Sequence, residues 1–139
     1  VDAIVANHMI EHLNPQEGLA FLRECRRVIK PDGVIRLLVP DAALLIGAYS
    51  NDLARFDEIN GGCADSPTQV GKLWTLLFSG HQAAYDAHTL IEVLGEASFK
   101  GVISEFREAR YDANKQIICE TLDMCPSLSL YVDAVPEIA

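Results

Sequence analysis

Hydrophobic and polar positions alternate along this chain in two rhythms, one of strands and one of helices. Residues 1–6, VDAIVA, form a short apolar run with β-branched Ile4 and Val5. That is the pattern of a strand buried on both faces, as in a parallel sheet. Residues 7–13 read as a loop or helical turn. A helix then starts with Asn14 as N-cap, Pro15 at the first helical position and Glu17 at the third. Phe21, Leu22, Cys25, Val28 and Ile29 supply its apolar stripe. Lys30 sits in the last turn, and Pro31-Asp32-Gly33 breaks the helix. VIRLLV, residues 34–39, is a second strand halted by Pro40. Strand, helix and strand in this order predict a right-handed βαβ crossover with parallel strands.

Further along, residues 41–56 read as a helix weakened by Gly47, and residues 58–68 as a polar loop. Residues 70–78 read as a short helix carrying Trp74, expected in a core or an interface patch. Residues 86–97 form a helix with Leu90, Ile91, Val93, Leu94 and Ala97 on its apolar side, and Asp86 is a candidate N-cap. Residues 102–106 read as a strand, and LSLYVDAV, residues 128–135, alternates as another. Residues 107–126 fit no single pattern. No repeat or linker divides the chain, so residues 1–139 read as one domain.

Composition narrows the classes. The chain is 50% hydrophobic and 22% charged, enough for a core and too apolar for disorder. Eleven basic against 20 acidic residues give a net charge of -9, which repels nucleic acid and anionic lipid. Arg23, Arg26, Arg27 and Lys30 lie along one helix and read as a solvated face. No apolar run reaches a membrane span, and the first residues lack the marks of a signal peptide. Cys25, Cys63, Cys119 and Cys125 have no C-x-x-C spacing and read as reduced, mostly buried thiols of a cytoplasmic protein.

VDAIVANHMIEHL, followed by a helix running into LRECRRVIKPDGVIRLLVPD, resembles the second half of a class I S-adenosylmethionine-dependent methyltransferase of the type 11-like group. In that family the fourth strand ends in a motif of the form (S/N)HxxEH. A helix then leads through an RVLKPGG turn into the fifth strand. His81 with YDAHTLIEVLGEASF is similar to the family's later helix, and SLSLYVDAV to its last strand. Asp32 and Ser98 stand where the family prefers glycine; at Ser98 this implies strain or a shifted helix cap. The family's glycine-rich cofactor loop and ribose-binding acid precede the fourth strand and have no counterpart in these 139 residues. The resemblance thus implies the C-terminal portion of a larger domain, one that starts directly on a strand and is poorly equipped to bind the cofactor alone. The implied fold is α/β: a partial Rossmann-like sheet of about four strands, mainly parallel, its last strand antiparallel, with helices on both faces.

In an open parallel sheet, ligands bind beyond the C-terminal strand ends. The resemblance places Asn7, His8 and Met9 beside the methionine end of S-adenosylmethionine. His8 is the candidate base, with Glu11 or His12 as partner; the plainer alternative has Glu11 and His12 holding the loop. Asp41, His81 and Tyr85 are candidate substrate residues near an unknown small-molecule acceptor, against a plainer reading as a polar helix entrance. No metal is assigned. His8-Met9-Ile10-Glu11-His12 nonetheless matches the H-x-x-E-H zinc-peptidase signature, with Glu92 a candidate third ligand. That chemistry needs one long helix, whereas a strand and Pro15 bracket the motif here. A non-enzymatic alternative is a homodimer paired through the open edge of the first strand.

Overall fold

The computed structural model describes residues 1–108, 110, 111, 123 and 125–138. Strand β1 (Ala3–Asn7) is followed by a 3-10 turn (Ile10–His12), helix α1 (Pro15–Val28) and strand β2 (Val34–Pro40). The Asn14 side chain caps the Glu17 N–H at 2.9 Å and the Glu17 carboxylate returns to the Asn14 N–H at 3.1 Å, a reciprocal capping box. Next come α2 (Ala42–Asn51), α3 (Leu53–Asn60), α4 (Gln69–Leu77) and α5 (Ala87–Glu96), then β3 (Phe99–Ser104) and β4 (Ser129–Pro136).

The strands order as β1-β2-β4-β3 in one sheet. β1 pairs parallel with β2, from Ala3 opposite Val34 to Asn7 opposite Leu38. β4 inserts between β2 and β3 and is antiparallel to both. Three strands therefore run one way and the last runs against them, as expected. All seven residues of β2 are buried, consistent with its central place.

One sheet face carries Ile35, Leu37, Val39, Val132 and Ala134, and packs with Leu22 and Cys25 of α1 and Leu90 and Leu94 of α5. A second core lies in a helical lobe, where Leu45 of α2, Phe56 and Ile59 of α3 and Leu76 and Leu77 of α4 gather on Leu128. The sheet face opposite the first core carries the buried pair Arg36 and Asp133. Helices thus divide between one layer on the sheet and one lobe beyond β2.

Some boundaries differ from the sequence expectations. The helix expected over 41–56 is broken at Asp52, not at Gly47: Asp52 has φ -155°, ends α2, and caps the Arg55 N–H of α3 at 3.1 Å. α3 ends on Gly61 at φ +51°, a left-handed cap that glycine adopts at low cost. The strand expected over 102–106 begins earlier, at Phe99, whose side chain is buried in the core. Trp74 is exposed and stacks on Phe78 at 5.3 Å, so it belongs to the surface. Asp86 caps α5, accepting from the Thr89 N–H at 2.8 Å. Much of the 107–126 stretch lies outside the described residues.

Candidate functional site

β1 ends at Asn7, and the chain turns sharply at His8, which holds φ +47°. A non-glycine residue in that left-handed region stores backbone strain, and such strain collects at functional sites. The His8 N–H still donates to Leu38 O at 2.9 Å, so the turn stays anchored to β2. A cavity of about 400 Å³ opens here, past the C-terminal ends of β1 and β2. Asn7, His8, Glu11, His12 and His81 are in its wall, together with Asp123 and Cys125.

His8 sits between two carboxylates. Its Nδ1 lies 3.4 Å from Glu11 Oε1, and its Nε2 lies 3.3 Å from Asp123 Oδ1. Nε2 also donates to Ser129 Oγ at 2.9 Å, because the Ser129 hydroxyl itself donates to Cys125 O at 3.1 Å. Burial works against the imidazolium, but Glu11 and Asp123 together outweigh it and hold the His8 pKa above its ordinary value. Burial likewise opposes ionisation of Asp123. The nearby Ser129 hydroxyl, hydrogen bonds from Tyr131 and the Cys125 N–H, and the charge of His8 nonetheless keep its carboxyl below the usual range. The Tyr131 hydroxyl donates to Asp123 Oδ2 at 2.5 Å, and burial together with that carboxylate pushes the phenol pKa up.

Glu11 is only 1% exposed, and neither of its carboxylate oxygens has a hydrogen-bond partner. Its backbone carbonyl accepts from the N–H groups of Gln82 and Ala83 at 2.8 and 3.1 Å, and Gln82 Nε2 donates to His12 O at 2.8 Å. These bonds staple the 3-10 turn to the loop before α5. His12 Nδ1 donates to Gly80 O at 2.9 Å and His81 Nδ1 to Leu77 O at 2.9 Å, so both rings present Nε2 as the remaining acceptor. The two rings meet edge to face, 4.7 Å between centroids.

Of the residues expected from sequence, Asn7, His8, Glu11, His12 and His81 come together around this cavity. Met9 instead packs against the sheet core. Asp41 caps α2, accepting from the Leu44 N–H at 3.2 Å, and bridges Tyr85, which is buried in the first core. The zinc-peptidase geometry is not present: His8 follows the end of a strand and His12 lies in a 3-10 turn, so they do not share an α-helix face. Glu92 faces His88 on the exposed side of α5 at 3.8 Å.

Sequence reasoning missed Asp123, Ser129 and Tyr131. Ser129 and Tyr131 stand two apart in β4, hence on one face, and that polar spacing was the available signal. Asp123 offered none, lying in the patternless stretch. The expectation of reduced cysteines is overturned for two of the four: Cys63 and Cys125 form a disulfide in the cavity wall. The loop after α3 carries Cys63 to the segment before β4, a meeting that sequence spacing cannot reveal. Cys25 is free and buried, and burial pushes its thiol pKa up to about 11. Cys119 lies outside the described residues.

The family model described as a methyltransferase domain matches residues 1–37, which run from β1 through α1 into β2. No curated protein matches the chain. Among solved structures, a SAM dependent methyltransferase from Archaeoglobus fulgidus is 18% identical, with a TM-score of 0.54, over 97% of this chain and 59% of that one. TnmH is 16% identical with a TM-score of 0.52, over 99% of this chain and 31% of that one. LaPhzM is 15% identical with a TM-score of 0.48, over 97% of this chain and 30% of that one. The fold is that of a class I methyltransferase-like domain. The chain spans between about a third and three fifths of the length of these solved structures.

Proposed function

We propose that this chain builds the methyl-transfer edge of an S-adenosylmethionine-dependent methyltransferase acting on a small-molecule acceptor. The observation that carries this reading is the cavity at the C-terminal ends of β1 and β2, entered by His8 on a strained turn within the matched residues.

The cofactor's sulfonium and ammonium groups are cations. Glu11 and Asp123 place two carboxylates around the single imidazole of His8, and this negative surplus suits a cationic ligand. Asn7 and His8 would border the methionine end. No glycine-rich loop following a strand occurs in these 139 residues, so the fit extends to one end of the cofactor and not to its adenosine. When bound, the cofactor supplies an electrophilic methyl group on positively charged sulfur.

The chain's own residues supply alignment and proton handling. Glu11 fixes the His8 ring through Nδ1, in the manner of an orienting carboxylate. Once His8 has released the Nε2 proton that it shares with Ser129, that nitrogen takes the acceptor's proton while Nδ1 stays on Glu11. His12 and His81 stand at the acceptor side of the same cavity. Asp41 and Tyr85 act from behind, by holding α2 against the loop that leads into α5.

A partial set of contacts gives an affinity nearer millimolar than micromolar. The test is NMR titration with S-adenosylhomocysteine, following the histidine ring signals. Saturable shifts at His8, lost in Asn7→Ala, support the reading. An unperturbed His8 at saturating millimolar ligand overturns it.

A second reading concerns assembly. β1 is an edge strand of the sheet, paired only with β2 among the described residues. A second copy pairing through this edge would form a homodimer. Light scattering decides: a monomer at micromolar concentration rejects it.

A further inference from the structure

We propose that Glu11, His12 and His81 form a binding site for a divalent transition metal ion of the zinc class, at the mouth of the cavity. One donor atom from each residue lies within 4.8 Å of the others. Donors around one zinc ion at about 2.1 Å stand roughly 3.4 Å apart, so small side-chain rotations close the set. Two imidazoles and one carboxylate form a donor set that zinc and its neighbours favour and that magnesium and calcium do not.

Three features prepare these residues for an ion. Each imidazole has its Nδ1–H tied to a backbone carbonyl, His12 to Gly80 and His81 to Leu77. That outer bond fixes the tautomer and leaves Nε2 to ligate, as in established histidine metal sites. Glu11 is buried, its oxygens have no hydrogen-bond partner and its carboxylate meets the His8 ring only at 3.4 Å, so a directly ligated cation would compensate it more fully. Finally, the bonds from Gln82 and Ala83 to the carbonyls of Glu11 and His12 hold two distant segments in register, so the backbone that carries the three side chains is fixed. The His8 imidazole is a neighbour of Glu11, not a member of the donor set.

This inference does not rest on methyl transfer. The test uses the oxidised 139-residue chain, freed of metal by chelation and titrated with zinc by calorimetry and with cobalt(II) by visible absorption. One zinc per chain at micromolar affinity or tighter is expected, with no competition from millimolar magnesium. His12→Ala and His81→Ala each weaken zinc by about tenfold or more, and Glu11→Gln does likewise. His88→Ala, on the exposed face of α5, leaves affinity unchanged. His12 is exposed, so its substitution spares both cores and remains interpretable if Glu11→Gln fails to fold. Absence of zinc uptake overturns the proposal, as does uptake indifferent to His12→Ala and His81→Ala. A cobalt spectrum with a thiolate charge-transfer band overturns it too, by moving the ligands to cysteine. Zinc binding with no response of His8 to S-adenosylhomocysteine would defeat the cofactor reading alone.

Discussion

His8 and Ser98 share a backbone conformation and differ in what they gain from it. Both hold positive φ, +47° and +62°, where a side chain costs free energy that glycine avoids. At Ser98 the turn joins α5 to β3, and its neighbours use its backbone alone: Ser98 O accepts from Arg26 Nε at 3.1 Å and from the Glu137 N–H at 2.9 Å. The exposed Ser98 side chain makes no hydrogen bond to the described residues, so Ser98→Gly is expected to raise stability by about 0.5–1 kcal/mol. Urea denaturation measures this directly; a loss of stability would show that the serine conformation is not strained. At His8 the same relief would remove the imidazole that meets Glu11, Asp123 and Ser129, and the strain is retained at the cavity. The unusual residue at 98 was visible in sequence as a departure from a glycine position. The one at 8 was visible only as a histidine in a motif, because nothing in residue order reports φ.

Elements whose neighbours lie close in sequence were the legible ones. The run from β1 through α1 to β2 is set by a capping box, an apolar stripe and a Pro-Asp-Gly break, all local signals. The internal chemistry of β2 was not legible. VIRLLV reads as an apolar strand, yet Arg36 is 1% exposed and meets Asp133, 0% exposed, directly across the β2–β4 register. Nε reaches Oδ1 at 2.7 Å and one Nη reaches Oδ2 at 2.9 Å, a bidentate pair. The same Nη also donates to Ser104 Oγ at 2.8 Å and to Glu108 O, and Asp133 accepts the Arg110 N–H at 2.9 Å. The group draws on β2, on β4 and on the end of β3 with the residues just after it, so only the folded sheet assembles it. Such a pair is weak evidence for net stability, but breaking it strands a buried charge. Asp133→Ala is expected to cost about 3–5 kcal/mol. Replacing Arg36 and Asp133 together with Met and Leu should recover much of that loss. A denaturation series of the single and double variants checks both statements, and equal losses in the two would refute the charge argument.

At the scale of the whole molecule, the helical lobe and the sheet are joined covalently as well as by packing. The bond between Cys63 and Cys125 closes a loop with a sequence separation of 62. Cys63 follows α3, where the Asn60 side chain grips Ala64 through bonds of 3.0 and 2.8 Å. Cys125 precedes β4 and donates its N–H to Asp123 at 2.9 Å. The bond therefore fixes the lobe to the segment that carries the carboxylate facing His8. In the chain-entropy account, closing a loop of this size in the unfolded state stabilises the fold by about 4 kcal/mol. Reduction, or the paired substitution of Cys63 and Cys125 by serine, is expected to lower the unfolding free energy by up to that amount. It should also loosen Asp123 from His8. Denaturation with and without reductant reads the first effect, and the His8 ring signals read the second. If reduction lowers stability while His8 is undisturbed, the hydrogen bonds of Asp123 to Tyr131 and the Cys125 N–H suffice to hold the carboxylate. If the unfolding midpoint does not move, packing of Leu128 against the lobe already supplies the connection.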